Sequence, residues 1–292
     1  MNPYLEILRP GNAIMAAIAV VLMIFVGHNY DVPVLFGALL VFIITGAGNA
    51  INDVYDHKID AVNKPNRPIP SGRISLKTAK IYAISLFLIS IIISFFISYL
   101  VNSYWPSVIV VCAAILMYVY ASHLKAMPLI GNIVVASLTG FCFIFAGTII
   151  SCDIGNWFIF LVSVYLGLFA TFMTLAREIV KDMEDIEGDK LDGAKTFPIL
   201  YGKKIPSIVS IILIVVTTLM CPILYIYNIF NFAYMIIMII PIIMFLYCAY
   251  TLGLNPDEAT CGKVSKLLKI AMLLSFIAFV VGSFNFGIFT YF

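Results

Sequence analysis

Residues 34–60 read VLFGALLVFIITGAGNAINDVYDHKID, a long apolar run that closes on Asn49, Asn52, Asp53, Asp56 and Asp60. A second apolar run ends the same way, in Arg177-Glu178-Ile179-Val180-Lys181-Asp182-Met183-Glu184-Asp185-Ile186-Glu187-Gly188-Asp189. Carboxylates near a hydrocarbon phase are costly, and several together repel one another. Shared divalent cations are the simplest reason for both clusters.

The apolar runs themselves set the class. The chain has 292 residues, 63% of them hydrophobic and 11% charged, with a mean hydropathy of +1.08. A soluble domain of this length cannot hide so much apolar surface. Nine runs, near residues 11–30, 34–55, 78–101, 105–122, 128–150, 155–178, 205–227, 231–252 and 266–287, each reach 17 or more residues. That is long enough to cross a hydrocarbon core of about 30 Å as helix. The expected architecture is an all-α integral membrane protein, a nine-helix bundle. The first run lacks a small-residue cleavage site and reads as a span, not a signal peptide. No long Pro/Ser/Gly linker divides the chain, so residues 1–292 are read as one domain.

Basic residues orient the spans. With the N-terminus inside, all 17 Lys and Arg fall in the inner segments 1–10, 56–77, 123–127, 179–204 and 253–265 or on the helix ends beside them. The outer connections carry only Asp31 and Asp153 as charged groups. Seven or eight spans would scatter the bases over both faces. The partition predicts a cytoplasmic N-terminus, cytoplasmic connections at 56–77 and 179–204, outward connections at 101–105 and 151–154, and a C-terminus outside. Residues 53–80 and 177–204 together hold 22 of the 32 charged residues, so the polar chemistry gathers at one membrane surface. Residues 205–256 hold no charge at all, which argues against an ion path through the bilayer.

Six cysteines add little: no CxxC or Cys/His metal spacing occurs, and membrane cysteines are mostly small apolar fillers. His28, His57 and His123 lie apart in sequence. No P-loop, GxGxxG or HExxH pattern supports nucleotide hydrolysis or zinc proteolysis. Nothing points to nucleic acid or to an obligate protein partner.

Helical spacing sharpens the acidic clusters. Asn52, Asp56 and Asp60 recur at i, i+4, i+8, and Asp182, Asp185 and Asp189 at i, i+3, i+7. Two such faces meeting at one membrane surface supply oxygen ligands for Mg²⁺, with positions left open for phosphate oxygens.

In these residues the chain resembles the UbiA-type intramembrane prenyltransferases over essentially its whole length. The first family motif, NxxxDxxxD, corresponds to Asn52, Asp56 and Asp60, followed by Asn66-Arg67-Pro68. The second corresponds to Asp182, Asp185 and Asp189, followed by Lys195-Thr196-Phe197-Pro198. Arg9-Pro10-Gly11-Asn12 and the Tyr120–Lys125 stretch resemble other family landmarks. The resemblance implies a helical bundle around a cavity that opens to the membrane, and Mg²⁺-dependent transfer of a prenyl group from its diphosphate. The stretches Gly48–Asp56 and Arg177–Asp182 are most similar to the branch that makes archaeal ether lipid. That branch implies geranylgeranyl diphosphate as donor and a lipid-like phosphorylated acceptor, geranylgeranylglyceryl phosphate. Prenylation of an aromatic quinone precursor or of a tetrapyrrole stays open, because bases gather on any cytoplasmic surface.

On this reading Asn52, Asp56, Asp60, Asp182, Asp185 and Asp189 are the expected metal ligands. Asp53, Asp56, Asp60, Asp182 and Asp185 are the expected catalytic groups, Asp53 as a weak general base. Asn12, Asn49, Asn52, Arg67, Lys125 and Lys195, then Arg73 and Lys181, are the expected substrate contacts. Tyr118, Tyr120, Phe141, Phe145, Tyr165 and Phe169 are candidates to face an allylic cation, although most aromatics in such a chain simply pack or face lipid. The competing class is a Mg²⁺- or phosphate-coupled transporter. A CDP-alcohol phosphotransferase would need an acidic pattern that is missing here.

Overall fold

The computed structural model describes residues 2–191 and 194–284. Its helices are α1 (Pro3–Glu6), α2 (Pro10–Gly27), α3 (Val32–Tyr55), α4 (His57–Asn63), α5 (Leu76–Leu100), α6 (Trp105–Ser122), α7 (Ile130–Ile154), α8 (Trp157–Glu184), α9 (Ile186–Leu191), α10 (Phe197–Tyr201), α11 (Lys204–Met220), α12 (Ile223–Ile226), α13 (Phe232–Leu254) and α14 (Glu258–Ser283). Among the described residues nine helical segments are long and apolar enough to cross a membrane: α2, α3, α5, α6, α7, α8, Lys204–Ile226, α13 and α14.

The exposed side chains show what surrounds them. On α5, Leu88, Ile92, Phe95 and Tyr99 follow i, i+4, i+7, i+11 and are 56%, 67%, 60% and 81% exposed. The opposite stripe, Ala79, Ala83, Phe87, Ser90, Ser94 and Ile97, is buried. Large apolar residues outside and small ones inside suit a helix whose outer solvent is lipid, where small residues let helices approach closely. The protein is a multi-pass membrane protein.

Three spans differ from expectation by four residues or more: the fifth runs on to Ile154, so residues 151–154, expected as an outward connection, stand on α7. The sixth runs on to Glu184 instead of ending at 178, so Lys181 and Asp182 stand on the spanning helix itself. The ninth begins at Glu258, eight residues before the expected start. Asp257 caps it, its Oδ1 accepting from Thr260 N at 2.7 Å, and that cap starts the helix ahead of Lys263, Lys266 and Lys269. The end expected at 287 lies outside the described residues.

The chain divides into two compact units. One comprises residues 1–24, 28–125 and 141–164. There α3 packs against α5 and α6, and α5 against α6. On the side expected to face outward, Asn29 Nδ2 donates to Asp31 Oδ2 at 3.3 Å and to Asp153 Oδ2 at 2.7 Å. The other unit comprises residues 25–27, 126–140 and 165–292, with α13 packed on α11 and α14. Pro222 interrupts the seventh span, and phenols capture the carbonyls freed there: Tyr165 Oη donates to Met220 O and Tyr234 Oη to Cys221 O, both at 2.6 Å. A Cβ on Gly282 would stand 2.7 Å from Tyr234 Cβ, so only glycine lets α14 come this close to α13.

Candidate active site

In the first unit the acidic motif straddles a small bend. α3 ends at Tyr55 and α4 begins at His57, yet the helical hydrogen bonds continue across it. Asp56 N donates to Asn52 O at 2.9 Å, Asp60 N to Asp56 O at 2.8 Å and Lys64 N to Asp60 O at 2.8 Å. Asn52, Asp56 and Asp60 therefore keep the i, i+4, i+8 register although they do not belong to one straight helix.

Each carboxylate here holds a base. Arg9 pairs with Asp53. Arg67 Nη1 stands 3.2 Å from Asp53 Oδ1 and 2.5 Å from Asp60 Oδ2. Lys125 pairs with Asp56. Asp53 and Asp60 are each only 4% exposed, so charge pairing is what makes their burial tolerable. Asp53, expected as a weak base, is paired with two guanidiniums. Asn52 Oδ1 is buried without a hydrogen-bond partner.

Local backbone sets up this cluster. Arg9 adopts φ 49°, a left-handed turn that ends α1 and leads into Pro10 at the start of α2. Asn49 Nδ2 fastens that turn to α3 by donating to Leu8 O at 2.8 Å. Asn49 is thus a tether for the Arg9 turn, whereas substrate contact had been expected of it. Arg73, also expected at substrate, forms a two-pronged pair with Glu6 at 2.7 and 2.9 Å and donates to Asn66 O at 2.6 Å. Asn12 is exposed.

Lys64 completes the ring of bases. Its ammonium is pushed below its ordinary value, first by partial burial and next by the positive charge of Arg67, with Asp60 opposing and Arg9 and Lys125 adding smaller repulsion. Four cations near three carboxylates form a place where an incoming anion relieves repulsion.

The Glu6–Arg73 pair yields a pH prediction. Its hydrogen bond with Arg73 holds the Glu6 carboxyl below its ordinary 4.5. A lowered carboxylate stabilises the fold above that ordinary value, and the contribution is lost as pH falls through the lowered value. Melting temperatures of wild type and Glu6→Gln should therefore differ at neutral pH and converge on acidification below about 4.5. A constant gap would remove the pair from the pH dependence.

In the second unit the acidic motif is divided too. α8 ends at Glu184, Asp185 sits at the bend, and α9 carries Asp189. Asp185 N still donates to Lys181 O at 3.0 Å and Asp189 N to Asp185 O at 2.9 Å, so the helical register again survives. Asp182 Oδ2 accepts from Asn132 Nδ2 of α7 at 2.8 Å. Lys181 Nζ donates to Asp185 Oδ2 at 2.8 Å, both side chains being nearly half exposed. Lys195 is exposed. Phe145 and Phe169, each 2% exposed, are core residues, and Phe169 rests against Phe245 and Phe279. Tyr165 serves the break in the seventh span.

Among the described residues no group of three or more His, Cys, Asp or Glu side chains stands close enough together to hold a metal ion. The carboxylates lie instead against Arg, Lys and Asn. Sequence reasoning missed Arg9, Lys64 and Asn132 as parts of these clusters. Arg9 lay within a quoted landmark and Lys64 beside one, and only their pairing was hidden. Asn132 gives no local signal, because its partner lies 50 residues away.

Residues 13–277 match the model of the UbiA prenyltransferase family. The chain belongs to this family. It is 52% identical to a protein of Methanobrevibacter smithii named digeranylgeranylglyceryl phosphate synthase, over 98% of this chain and 99% of the relative. A protein of the same name from Methanosphaera stadtmanae is 50% identical, over 97% and 100%. A solved structure described as giving insights into digeranylgeranylglyceryl phosphate synthase in membranes superposes with TM-score 0.84 at 36% identity, covering 96% of this chain and 97% of that one. A UbiA homolog from Archaeoglobus fulgidus bound to GPP and Mg²⁺ shares the fold, with TM-score 0.63 at 17% identity over 95% and 99%.

Proposed function

We propose that this protein transfers a geranylgeranyl group from geranylgeranyl diphosphate to the free hydroxyl of geranylgeranylglyceryl phosphate, forming the second ether bond of archaeal lipid. The observation that carries the reading is the near-complete coverage at 52% identity of a relative named for this product. Both acidic motifs stand on helical registers beside bases, as such a reaction requires.

Mg²⁺ fits the residues present. The donors are all oxygens, which suit a hard cation, and the buried Asn52 Oδ1 has no protein partner. Taken unit by unit, Asn52, Asp56 and Asp60 in the first and Asp182, Asp185 and Asp189 in the second are the groups we propose for holding Mg²⁺. When bound, Mg²⁺ supplies positive charge against the diphosphate as the C1–oxygen bond weakens.

The chain's own groups do the rest. Lys125 and Arg67 sit on Asp56 and Asp60, and both can turn to phosphate oxygens once those carboxylates have another cationic partner. Asp53 keeps Arg9 and Arg67 from swinging away. Asn132 holds one oxygen of Asp182 and fixes how the other is presented. As C1 leaves the diphosphate, the acceptor hydroxyl oxygen bonds to C1 and its proton passes to an oxygen of the departing diphosphate.

The test compares rates with geranylgeranylglyceryl phosphate, its dephosphorylated alcohol and 4-hydroxybenzoate in purified protein with Mg²⁺. The phosphorylated acceptor should be used best. Equal rates with the alcohol, or a preference for the aromatic acid, would remove the ether-lipid assignment. The base distribution also supports the reading that the segments 56–77 and 179–204 face the cytoplasm. Cysteines introduced near Lys64 should react with an impermeant reagent only from that side, and labelling from outside would overturn the orientation.

A further inference from the structure

Two polar groups on one face of α8 are buried without an acceptor. Thr174 is 7% exposed and its Oγ1 has no hydrogen-bond partner. Nε of Arg177, one turn further on, is likewise buried and unpartnered. Side chains three residues apart on a helix are neighbours, with Cβ atoms about 5–6 Å apart. A buried donor without an acceptor is destabilising, more so on a charged group.

One terminal nitrogen of the Arg177 guanidinium is anchored: Nη1 donates to Glu178 Oε1 at 2.5 Å. That contact leaves the Nε edge of the fork, one of the two edges able to bind an oxyanion through paired N–H groups. Lys181, the next base on the helix, is taken up by Asp185. A hydroxyl and a guanidinium edge side by side call for one acceptor with several oxygens and a negative charge.

We infer that Thr174 and Arg177 form the subsite for the phosphate monoester of the acceptor. The inference rests on the function proposed above. Spacing along α8 supports it. Arg177 precedes Asp182 by five residues, about 7.5 Å along the axis at 1.5 Å per residue. The acceptor's reactive hydroxyl sits on the carbon next to the one bearing its phosphate. That hydroxyl must come within about 3–3.5 Å of donor C1 to react, and C1 carries the diphosphate whose Mg²⁺ we propose Asp182 helps to hold. A phosphate at Arg177 would therefore stand within about two helical turns of the level of Asp182 on the same helix. The site also explains how the enzyme distinguishes a phosphorylated acceptor from the corresponding alcohol: without the phosphate, both donors stay unpaired.

Steady-state kinetics test this with Thr174→Val, which removes the hydroxyl at almost constant shape, and Arg177→Lys, which keeps the charge but loses the fork. Each should raise the KM for geranylgeranylglyceryl phosphate by about tenfold or more, the size expected for a lost hydrogen bond to a charged group. The donor's KM should stay near wild type, and the preference over the dephosphorylated alcohol should shrink by a similar factor. Thr174→Ser should recover most of the loss. A readout without turnover is thermal stabilisation by geranylgeranylglyceryl phosphate in the absence of donor and Mg²⁺, which Thr174→Val should weaken. If Arg177→Lys does not fold, Thr174→Val decides. A wild-type preference for the phosphorylated acceptor that survives both substitutions, or a rise in donor KM instead, overturns the subsite alone. A wild type with no such preference overturns the subsite together with the proposed function.

Discussion

Asp56→Asn should lower kcat by about a hundred- to a thousandfold while the protein stays folded, a loss of the size seen when one preorganised electrostatic group is removed from an active site. The amide keeps the shape of the side chain and removes its charge. In the structure that charge holds Lys125; on the proposed reading it passes to Mg²⁺ when the donor binds. Asp185→Asn, whose carboxylate now holds Lys181 at 2.8 Å, should behave alike. EDTA should abolish turnover in wild type and added Mg²⁺ restore it. Full activity in either folded variant would take that residue out of the reaction.

Arg67→Ala should cause a large loss of stability in the first unit. Its guanidinium bridges Asp53 and Asp60, both 4% exposed, while Arg67 itself keeps 22% of its side chain accessible. Removing one partner of a buried ion pair leaves an uncompensated charge and costs about 3–5 kcal/mol. Here two carboxylates are affected, although Arg9 still serves Asp53. Unfolding in detergent should show the drop, and Arg67→Ala combined with Asp60→Asn should recover part of it. A melting temperature equal to wild type would mean that these carboxylates take up protons or water in place of Arg67.

Exchange of partners links the two effects. Carboxylates that hold bases as these do are preorganised for a ligand carrying both signs of charge. A magnesium diphosphate offers a cation to Asp56 and Asp60 and an anion to Lys125 and Arg67. The Lys64 ammonium, lowered first by burial and next by the charge of Arg67, stands among the bases whose repulsion such an anion relieves.

Much of this was legible in the chain itself. Apolar runs of spanning length fixed nine helices, because a backbone in hydrocarbon must satisfy its own hydrogen bonds and helices do so locally. Asn52, Asp56 and Asp60 could be placed on one register from spacing alone, and the backbone bonds through Asp56 keep them there. What spacing could not show were pairings across the fold. Arg9 meets Asp53 from 44 residues away, Lys125 meets Asp56 from 69, and Asn132 meets Asp182 from 50. Nor could it show that Arg73 and Asn49 secure the N-terminal turn, or that Thr174 and Arg177 lack an acceptor. Local sequence sets helical register because those hydrogen bonds join residues four apart. Which charge a carboxylate holds is decided only by how separate helices pack, and that is a property of the tertiary structure.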